Sequence, residues 1–379
     1  MHVLSISLDE SIMLSENDAH QRQRRYANYF DRYSVVVKTD PGHKKQIQKG
    51  PLRVFPTNST TRYCFPIDAY QLGHAVAKER EPDCVTTQDP FSTGIVGLAL
   101  AQQFDASLRV QVHADFISNP KWRWQSVKNP LAEALGRTVL KRADAVRVGT
   151  EHERKKVRSV VKDSTTISVA PVRMDFDGVV NGGERSVTEL RSTFGFDDRP
   201  VIFFAGRFTG QKNLNKWLEV AARVHEAANR TPIFVMVGDG PQSEDIRKEV
   251  IELGIEDSFR FPGWVETDRL AEYYDLADVF LITSDYEGTS RVVVEAGMNE
   301  TPVVATPFAG AIDNIVDGET GFVADDVETL AQRVCELLED ATVRQQMGTR
   351  AREHLMDRFD AERLTEEYVE FLQDGICGD

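Results

Sequence analysis

The chain has 379 residues, more than the roughly 250–300 at which a single hydrophobic core usually stops growing, so two domains are expected. Hydrophobic residues make up 41% of the sequence, alongside 25 glycines and 15 prolines, a composition that excludes a disordered or fibrous protein. The formal net charge of −15 disfavours nucleic acid as a partner, because its phosphates would repel an acidic protein.

The sequence also predicts where the protein works. No stretch approaches the roughly 18 uninterrupted apolar residues of a membrane span, and the first residues have a strand pattern rather than that of a signal peptide. The four cysteines, Cys64, Cys84, Cys335 and Cys377, have neither metal-ligand nor disulfide-framework spacing, as is typical of a reducing compartment. We therefore expect a cytoplasmic protein.

Short β-branched runs alternate with amphipathic stretches along the whole chain. The first series of predicted strands lies at 3–7, 35–37, 84–86, 108–113 and 146–148, and the second at 201–206, 233–237, 279–283 and 303–306. Apolar strands separated by helices are typical of parallel sheets covered on both faces. The predicted fold class is α/β.

Turn residues separate the two series. The segment Asn181-Gly182-Gly183 breaks the periodicity, which places a boundary between domains 1–182 and 183–360. The final segment, 361–379, carries apolar residues at helical spacing and is predicted to be an amphipathic helix that packs back on the first domain.

Two cations follow the first strand of the second series. Gly206 allows close backbone approach, while the Arg207 guanidinium and the Lys212 ammonium stand just before a helical pattern, whose N-terminus favours anions. Ligands of parallel sheets sit at such strand ends. The turn is therefore either a phosphate site or a solvated turn with incidental charges.

Two carboxylates follow the strand at 279–283. Glu287 lies in the loop and Glu295 on the second turn of a helix predicted to begin near Ser290. Such a pair suits a ligand with hydroxyls on both sides of a phosphate, which the helix N-terminus would bind. A pair of glycosidase acids is the competing interpretation.

The motif Ser-Asp-Tyr-Glu-Gly-x6-Glu-Ala at 284–296 closely resembles family 4 of the retaining glycosyltransferases. The segments 206–212, 237–241, 261–265 and 317–322 resemble that family in the same order. The resemblance implies a GT-B fold, in which the parallel sheets of two Rossmann-like domains face a central cleft. It implies transfer of a sugar from a nucleotide diphosphate sugar to a hydroxyl acceptor, a lipid-linked glycan or glycolipid.

Two other functions are compatible with the same motifs. One is a non-catalytic subunit that binds the nucleotide-sugar, and the other is an epimerase or phosphorylase of the same fold. Consumption of donor without an acceptor would identify the latter, and tight donor binding without turnover the former.

The resemblance also assigns residues. It implies that Arg207 and Lys212 bind the donor diphosphate, that Glu295 holds the ribose and that Glu287 holds the donor sugar. The remaining predicted donor-binding residues are Gly206, Gly288, Thr289 and Ser290, together with Phe261 and Trp264 beside the base. Because the two cations balance the leaving-group charge, the resemblance implies neither a metal nor another cofactor.

The first domain matches the family less well. Leu8-Asp9-Glu10-Ser11 stands where the family commonly has a Gly-Gly loop. His113, at the end of a strand, is similar in position to the family's histidine facing the donor sugar, and we predict a catalytic or acceptor-side role. Asp89, also after a strand, is predicted either to line the acceptor side or to cap a turn.

A basic segment, 118–162, holds twelve Lys and Arg against four acidic residues. Its start, Lys121-Trp122-Arg123-Trp124, interleaves indoles with cations, a composition that favours an anionic membrane interface. The predicted location is thus peripheral, on the inner face of the cell membrane. The alternative is a solvated helix face with half-buried tryptophans.

Thr150 and Glu153 form a capping-box pattern that predicts a helix over 151–161.

Overall fold

The computed structural model describes residues 1–43, 46–174, 176, 180, 184–196 and 198–376, with only the backbone described at 184–186 and 268. The chain divides into two compact units. Unit 1 comprises Met1–Asp175 and Asp360–Asp379, and unit 2 comprises Phe176–Phe359. The predicted boundary at 182/183 and Cys377 lie outside the described residues.

The described part of unit 1 contains an eight-stranded sheet of order β3-β4-β2-β1-β5-β6-β7-β8, parallel except for β3. Its strands are β1 (His2–Ser7), β2 (Arg32–Val37), β3 (Ile47–Lys49), β4 (Leu52–Pro56), β5 (Cys84–Thr87), β6 (Ser107–Val112), β7 (Ala145–Val148) and β8 (Thr166–Val169). Its first helices are α1 (Asp18–Ala27), α2 (Phe65–Glu79), α3 (Ser92–Phe104), α4 (Pro120–Gln125), α5 (Asn129–Leu140) and α6 (Glu151–Arg158). Alternate residues of β1 enter different cores, since Leu4 and Ile6 pack on one face and Val3 on the other.

The described part of unit 2 contains a six-stranded parallel sheet of order β11-β10-β9-β12-β13-β14. Its strands are β9 (Val201–Ala205), β10 (Ile233–Val237), β11 (Phe259–Gly263), β12 (Val279–Ile282), β13 (Val303–Ala305) and β14 (Gly321–Val323). Its helices are α7 (Glu184–Phe194), α8 (Leu214–Ala227), α9 (Ser243–Glu252), α10 (Thr267–Leu276), α11 (Arg291–Met298), α12 (Ala309–Asn314), α13 (Val327–Glu339) and α14 (Ala341–Arg358). The chain winds outward from β9 in one direction and from β12 in the other, so these neighbouring strands form the topological switch point.

The last helix, α15 (Ala361–Gln373), belongs to unit 1. Its buried side chains Tyr368 and Leu372 share a hydrophobic cluster with Val3, Tyr26 and Tyr33. Among the described residues, no helix combines the length and apolar character needed to cross a membrane.

The prediction of two parallel α/β sheets is confirmed, and each predicted strand run coincides with a strand. The pattern did not predict β3, β4, β8, β11 and β14. These strands lie at or next to the sheet edges, and β3 and β14 have three residues each, too few to establish a periodicity.

Candidate functional site

The site in unit 2 forms where β9 and β12 end side by side. Phe203 of β9 pairs with Phe280 of β12, so the loops that leave the two strands start as neighbours. Open α/β sheets bind ligands at such a switch point, outside the carboxyl ends of the strands. The two loops predicted from sequence, 206–213 and 283–290, are these loops.

Hydrogen bonds tie the two loops into one structure. The Asp285 N–H donates to the Gln211 carbonyl oxygen at 2.8 Å, and the Asn213 side-chain amide donates to Asp285 Oδ1 at 3.0 Å. The Thr283 hydroxyl, whose Oγ1 lies 3.2 Å from the Lys212 carbonyl oxygen, also bridges the loops. The sequence did not predict these positioning residues, because a hydrogen bond between distant loops leaves no local pattern.

Lys212 and Glu287, which were both predicted as ligand-binding residues, are in direct contact. The Lys212 ammonium donates a hydrogen bond to Glu287 Oε1, which also accepts from the Ser284 hydroxyl at 2.5 Å. A Cβ on Gly206 would approach Lys212 Cε to 3.2 Å, which explains the glycine beneath the lysine. Arg207 is exposed and forms no hydrogen bond or ion pair within the described chain. The loops thus hold one paired cation and one cation free for a ligand.

The start of α11 carries a polar group without a partner. Ser290, the residue before the helix, has a φ of 55°, and its buried hydroxyl has no hydrogen-bond partner among the described residues. The preceding residues, Gly288 and Thr289, are held by α12: Asn314 Nδ2 donates to the Thr289 carbonyl oxygen at 2.6 Å, and Gly310 packs against the Gly288 carbonyl. The helix N–H groups and the Ser290 hydroxyl together suit an anion.

Glu295 is fixed by two donors inside the unit. Only 2% of its surface is exposed, and it accepts from the Tyr274 hydroxyl at 2.9 Å and from Arg291 Nε at 2.5 Å. Burial, and next the nearby Glu295 carboxylate, raise the pKa of Tyr274 well above its ordinary value, so the phenol remains a donor. Tyr274 and Arg291 orient the predicted ribose-binding carboxylate, and residue type alone did not predict that role.

The two aromatic residues predicted beside the nucleobase differ in exposure. Phe261 is half-buried, with the Arg247 guanidinium 4.3 Å from its ring centroid, whereas 69% of Trp264 is exposed. Gly238, at a φ of 134°, lies so close to the Gly206 carbonyl that a Cβ would overlap it. This close contact joins the turn after β10 to the turn after β9.

His113 lies in unit 1 and faces a cavity of about 240 Å³. Burial lowers the pKa of its imidazole to about 3, and the nearby Arg147 and Arg22 act in the same direction. The imidazole is therefore neutral near pH 7. Asp89 is not among the residues that line this cavity. Its Oδ1 accepts a hydrogen bond from the Phe91 N–H at 2.6 Å, which is the geometry of a turn cap.

The proposed membrane-facing tetrapeptide needs correction. Trp122 is buried, stacked on Phe91 with ring centroids 5.4 Å apart, so its indole belongs to the protein interior. Arg123 forms an ion pair with Glu133 through two hydrogen bonds, at 2.6 and 2.8 Å. Its guanidinium is therefore already paired within the protein. Lys121 and Trp124 are exposed, the latter by 75%. Residues two apart on a helix lie on nearly opposite sides of it, so α4 buries Trp122 and presents Trp124 to solvent.

No group of three or more His, Cys, Asp or Glu side chains in the described chain has an arrangement that could hold a metal ion.

Two family models match the chain. Residues 186–354 match the glycosyl transferases group 1, and residues 25–172 match the glycosyl transferase 4-like domain. The chain therefore belongs to the group 1 glycosyltransferases.

Among curated relatives, alpha-D-kanosaminyltransferase of Streptomyces kanamyceticus is 28% identical over 262 residues, which cover 68% of this chain and 66% of the relative. GDP-mannose-dependent alpha-(1-6)-phosphatidylinositol monomannoside mannosyltransferase of Mycobacterium tuberculosis (strain CDC 1551 / Oshkosh) is 26% identical over 253 residues, which cover 64% of this chain and 65% of the relative. The chain thus spans slightly less than two thirds of the length of these relatives.

Among solved structures, sucrose-phosphate synthase from Thermosynechococcus elongatus matches with a TM-score of 0.80 over 97% of each chain, at 21% sequence identity. This likeness shows a shared architecture. The predicted GT-B fold and the resemblance to this glycosyltransferase family are confirmed.

Proposed function

We propose that the protein transfers a sugar from a nucleotide diphosphate sugar to a hydroxyl acceptor, with retention at the anomeric carbon and without a metal. The observation that carries the proposal is the contact of Lys212 with Glu287 at the switch point, three residues before Ser290, whose buried hydroxyl has no partner in the described part of the chain. This arrangement places a cation and an anion-binding helix end next to a carboxylate suited to sugar hydroxyls.

The catalytic requirement is to stabilise charge on the departing diphosphate. Arg207 and Lys212 supply two positive charges, and the N–H groups at the start of α11 add directed donors. Together they neutralise the negative charge of the diphosphate, as a divalent ion does in other transferases. The carboxylate oxygens of Glu287 accept hydrogen bonds from the donor sugar once the ligand engages Lys212.

The nucleoside is held further along the sheet. Glu295, oriented by Tyr274 and Arg291, retains lone pairs that can accept from ribose hydroxyls. Phe261 and Trp264 offer aromatic faces beside the base. We assign His113 the role of a neutral hydrogen-bonding group on the acceptor side, because its lowered pKa keeps it uncharged.

A thermal-shift panel of nucleotide sugars on the full chain tests donor binding. A ligand stabilises the folded state by RT ln(1 + [L]/Kd), so the true donor should raise Tm more than the other members of the panel do.

Lys212→Ala should lower turnover by about 10²–10³-fold, the range typical of losing one hydrogen-bond donor to the transition state, while the protein stays folded. Lys248→Ala, an exposed lysine on α9, is the matched control.

The outcomes separate the competing functions. Unchanged turnover of Lys212→Ala at saturating donor would contradict the proposed role. Donor binding without turnover on any acceptor would identify a binding subunit, and donor consumption without acceptor would identify an epimerase or phosphorylase.

We further propose that unit 1 docks on the inner, anionic face of the cell membrane and draws a lipid-linked acceptor from it. Near Trp124, the side chains of Val127 and Leu131 are 94% and 67% exposed. Lys128 donates a hydrogen bond to the exposed Tyr63 at 3.1 Å, which places a cation within the same apolar surface. Exposed apolar groups mixed with cations favour an anionic interface.

Cosedimentation with vesicles tests this docking. Trp124→Ala should lower recovery on anionic vesicles, while Ile251→Ala, an exposed apolar residue of unit 2, should not. Equal recovery of the wild-type protein on neutral and anionic vesicles at low salt would contradict electrostatic docking.

A further inference from the structure

Most of the residues that line the cavity of unit 1 containing His113 have polar side chains. It lies beside β1, β6 and β7 and is closed by α1 and α15, with Ser7, Gln88 and Gln111 among its lining residues. Its volume of about 240 Å³ is below the roughly 300–1,000 Å³ of a pocket that encloses a whole drug-sized ligand. The cavity therefore fits one polar group of a larger molecule, or a small molecule.

Two guanidinium groups line this cavity. Arg147 is 2% exposed and donates to the Ala170 and Pro171 carbonyl oxygens and to Gln111 Oε1, which still leaves part of its five-donor fork for a ligand. Arg22 Nη2 lies 4.0 Å from Asp9 Oδ2, and Arg22 Nη1 donates to the Arg173 carbonyl oxygen at 3.5 Å, so both of these contacts are long. Two cations thus face one lining carboxylate and a neutral imidazole, a local positive excess in a chain of net charge −15.

The same cavity contains buried polar atoms without partners. The hydroxyl of Tyr26, a residue 2% exposed, and Oε1 of Gln23 have no hydrogen-bond partner among the described residues. Both residues line the cavity. Because buried polar groups in folded proteins are nearly always paired, an unpaired donor and acceptor facing a cationic cavity point to a ligand.

We propose that this cavity binds the acceptor through an oxyanion, a phosphate or carboxylate, that lies next to the acceptor's hydroxyl groups. Arg22 and Arg147 attract the oxyanion, the Tyr26 hydroxyl donates to it, and Gln23 Oε1 accepts from a neighbouring hydroxyl. The inference rests on the proposed function, for which it names the class of acceptor.

Isothermal titration of the full chain tests the proposal with four probes: glycerol 3-phosphate, glycerate, inorganic phosphate and glycerol. We expect at least one of the first two to bind saturably and more tightly than inorganic phosphate, and glycerol not to bind. Arg22→Gln should weaken that binding by about tenfold or more, since it removes a charge-assisted hydrogen bond. Arg22→Lys, which keeps the charge, should recover part of the affinity.

Arg24→Gln, at an exposed arginine of the same helix, is the matched control and should bind like the wild type. The proposal is overturned if neither organic anion binds, if Arg22→Gln binds them normally, or if inorganic phosphate binds as tightly as they do. Equally tight binding of inorganic phosphate would mean that the cavity is a site for the free ion rather than for an acceptor.

Failure of this inference can be told apart from failure of the proposed function. The Tm shift with a nucleotide sugar reports on the donor site alone. Anion binding should persist in Lys212→Ala, because Lys212 belongs to unit 2.

Discussion

The site of unit 2 holds its two carboxylates with internal partners, whereas the cavity of unit 1 contains buried polar atoms that have no partner among the described residues. Glu287 has Lys212 and Ser284, and Glu295 has Tyr274 and Arg291. In the cavity of unit 1, by contrast, the Tyr26 hydroxyl and Gln23 Oε1 lack partners within the described part of the chain. The paired carboxylates are held in position before a ligand arrives, while the atoms of the cavity, like the Ser290 hydroxyl of unit 2, would gain their missing hydrogen bonds from a ligand.

The largest expected effect separates the two indoles of α4. Trp122→Ala should destabilise the protein by about 3–5 kcal/mol, since it removes a buried aromatic side chain stacked on Phe91. Trp124→Ala should change the free energy of unfolding by less than about 0.5 kcal/mol, as is usual at exposed positions. Denaturant unfolding measures both. Similar losses in the two variants would contradict the assignment of Trp122 to the interior.

The next effect tests how tightly the loop at 283–290 of unit 2 is held. In Gly310→Ala the new Cβ would lie about 2.0 Å from the Gly288 carbonyl oxygen, so the loop must move. We expect a loss of about 1–3 kcal/mol in stability and weaker nucleotide-sugar binding. Ile312→Ala, at an exposed position of α12, should leave donor binding unchanged. If Gly310→Ala bound donor normally, the preformed loop would not be required.

A smaller effect concerns the orientation of Glu295. Tyr274→Phe removes one hydrogen bond to a charged carboxylate and little volume, so KM for the donor should rise by about tenfold, with kcat less affected. Steady-state kinetics at varied donor concentration measures the split. A fall in kcat at unchanged KM would contradict a role in holding the donor.

The last expected effect is a pH dependence of the stability of unit 1. Burial raises the pKa of Glu153 to about 8, although the Gly149 N–H donates to its Oε2 at 2.9 Å. Between the ordinary pKa near 4.5 and this value the folded state holds a proton that the unfolded state has lost. The contribution of Glu153 to stability is therefore complete below pH 4.5 and is lost as pH rises through 8.

Glu153→Gln should remove that loss, so the variant's stability relative to wild type should rise by roughly 3 kcal/mol between pH 5 and 8, since one pKa unit corresponds to about 1.4 kcal/mol. Thermal unfolding at several pH values measures the difference. A constant difference across this range would show that Glu153 is already ionised in the folded protein.

The residues predicted for the unit 2 site could be found from the sequence because each group of them follows one strand in a local motif. Arg207 and Lys212 come from one loop, and Glu287 and Glu295 from one loop and its helix. The cavity of unit 1 could not be predicted in this way, since Arg22, Gln111 and Arg147 come from three separate elements. Only packing brings them together. The same limit applies to α4, where composition predicted two exposed indoles and packing buries Trp122.

The contact between Lys212 and Glu287 has a consequence for turnover. In the proposed reaction, a complete donor would replace both partners, because its phosphates would engage the ammonium and its sugar hydroxyls the carboxylate. After transfer, the spent nucleotide would have no sugar to occupy Glu287, and the carboxylate would again compete for the lysine. Re-formation of the internal pair would then favour departure of the product and return the site to its starting state.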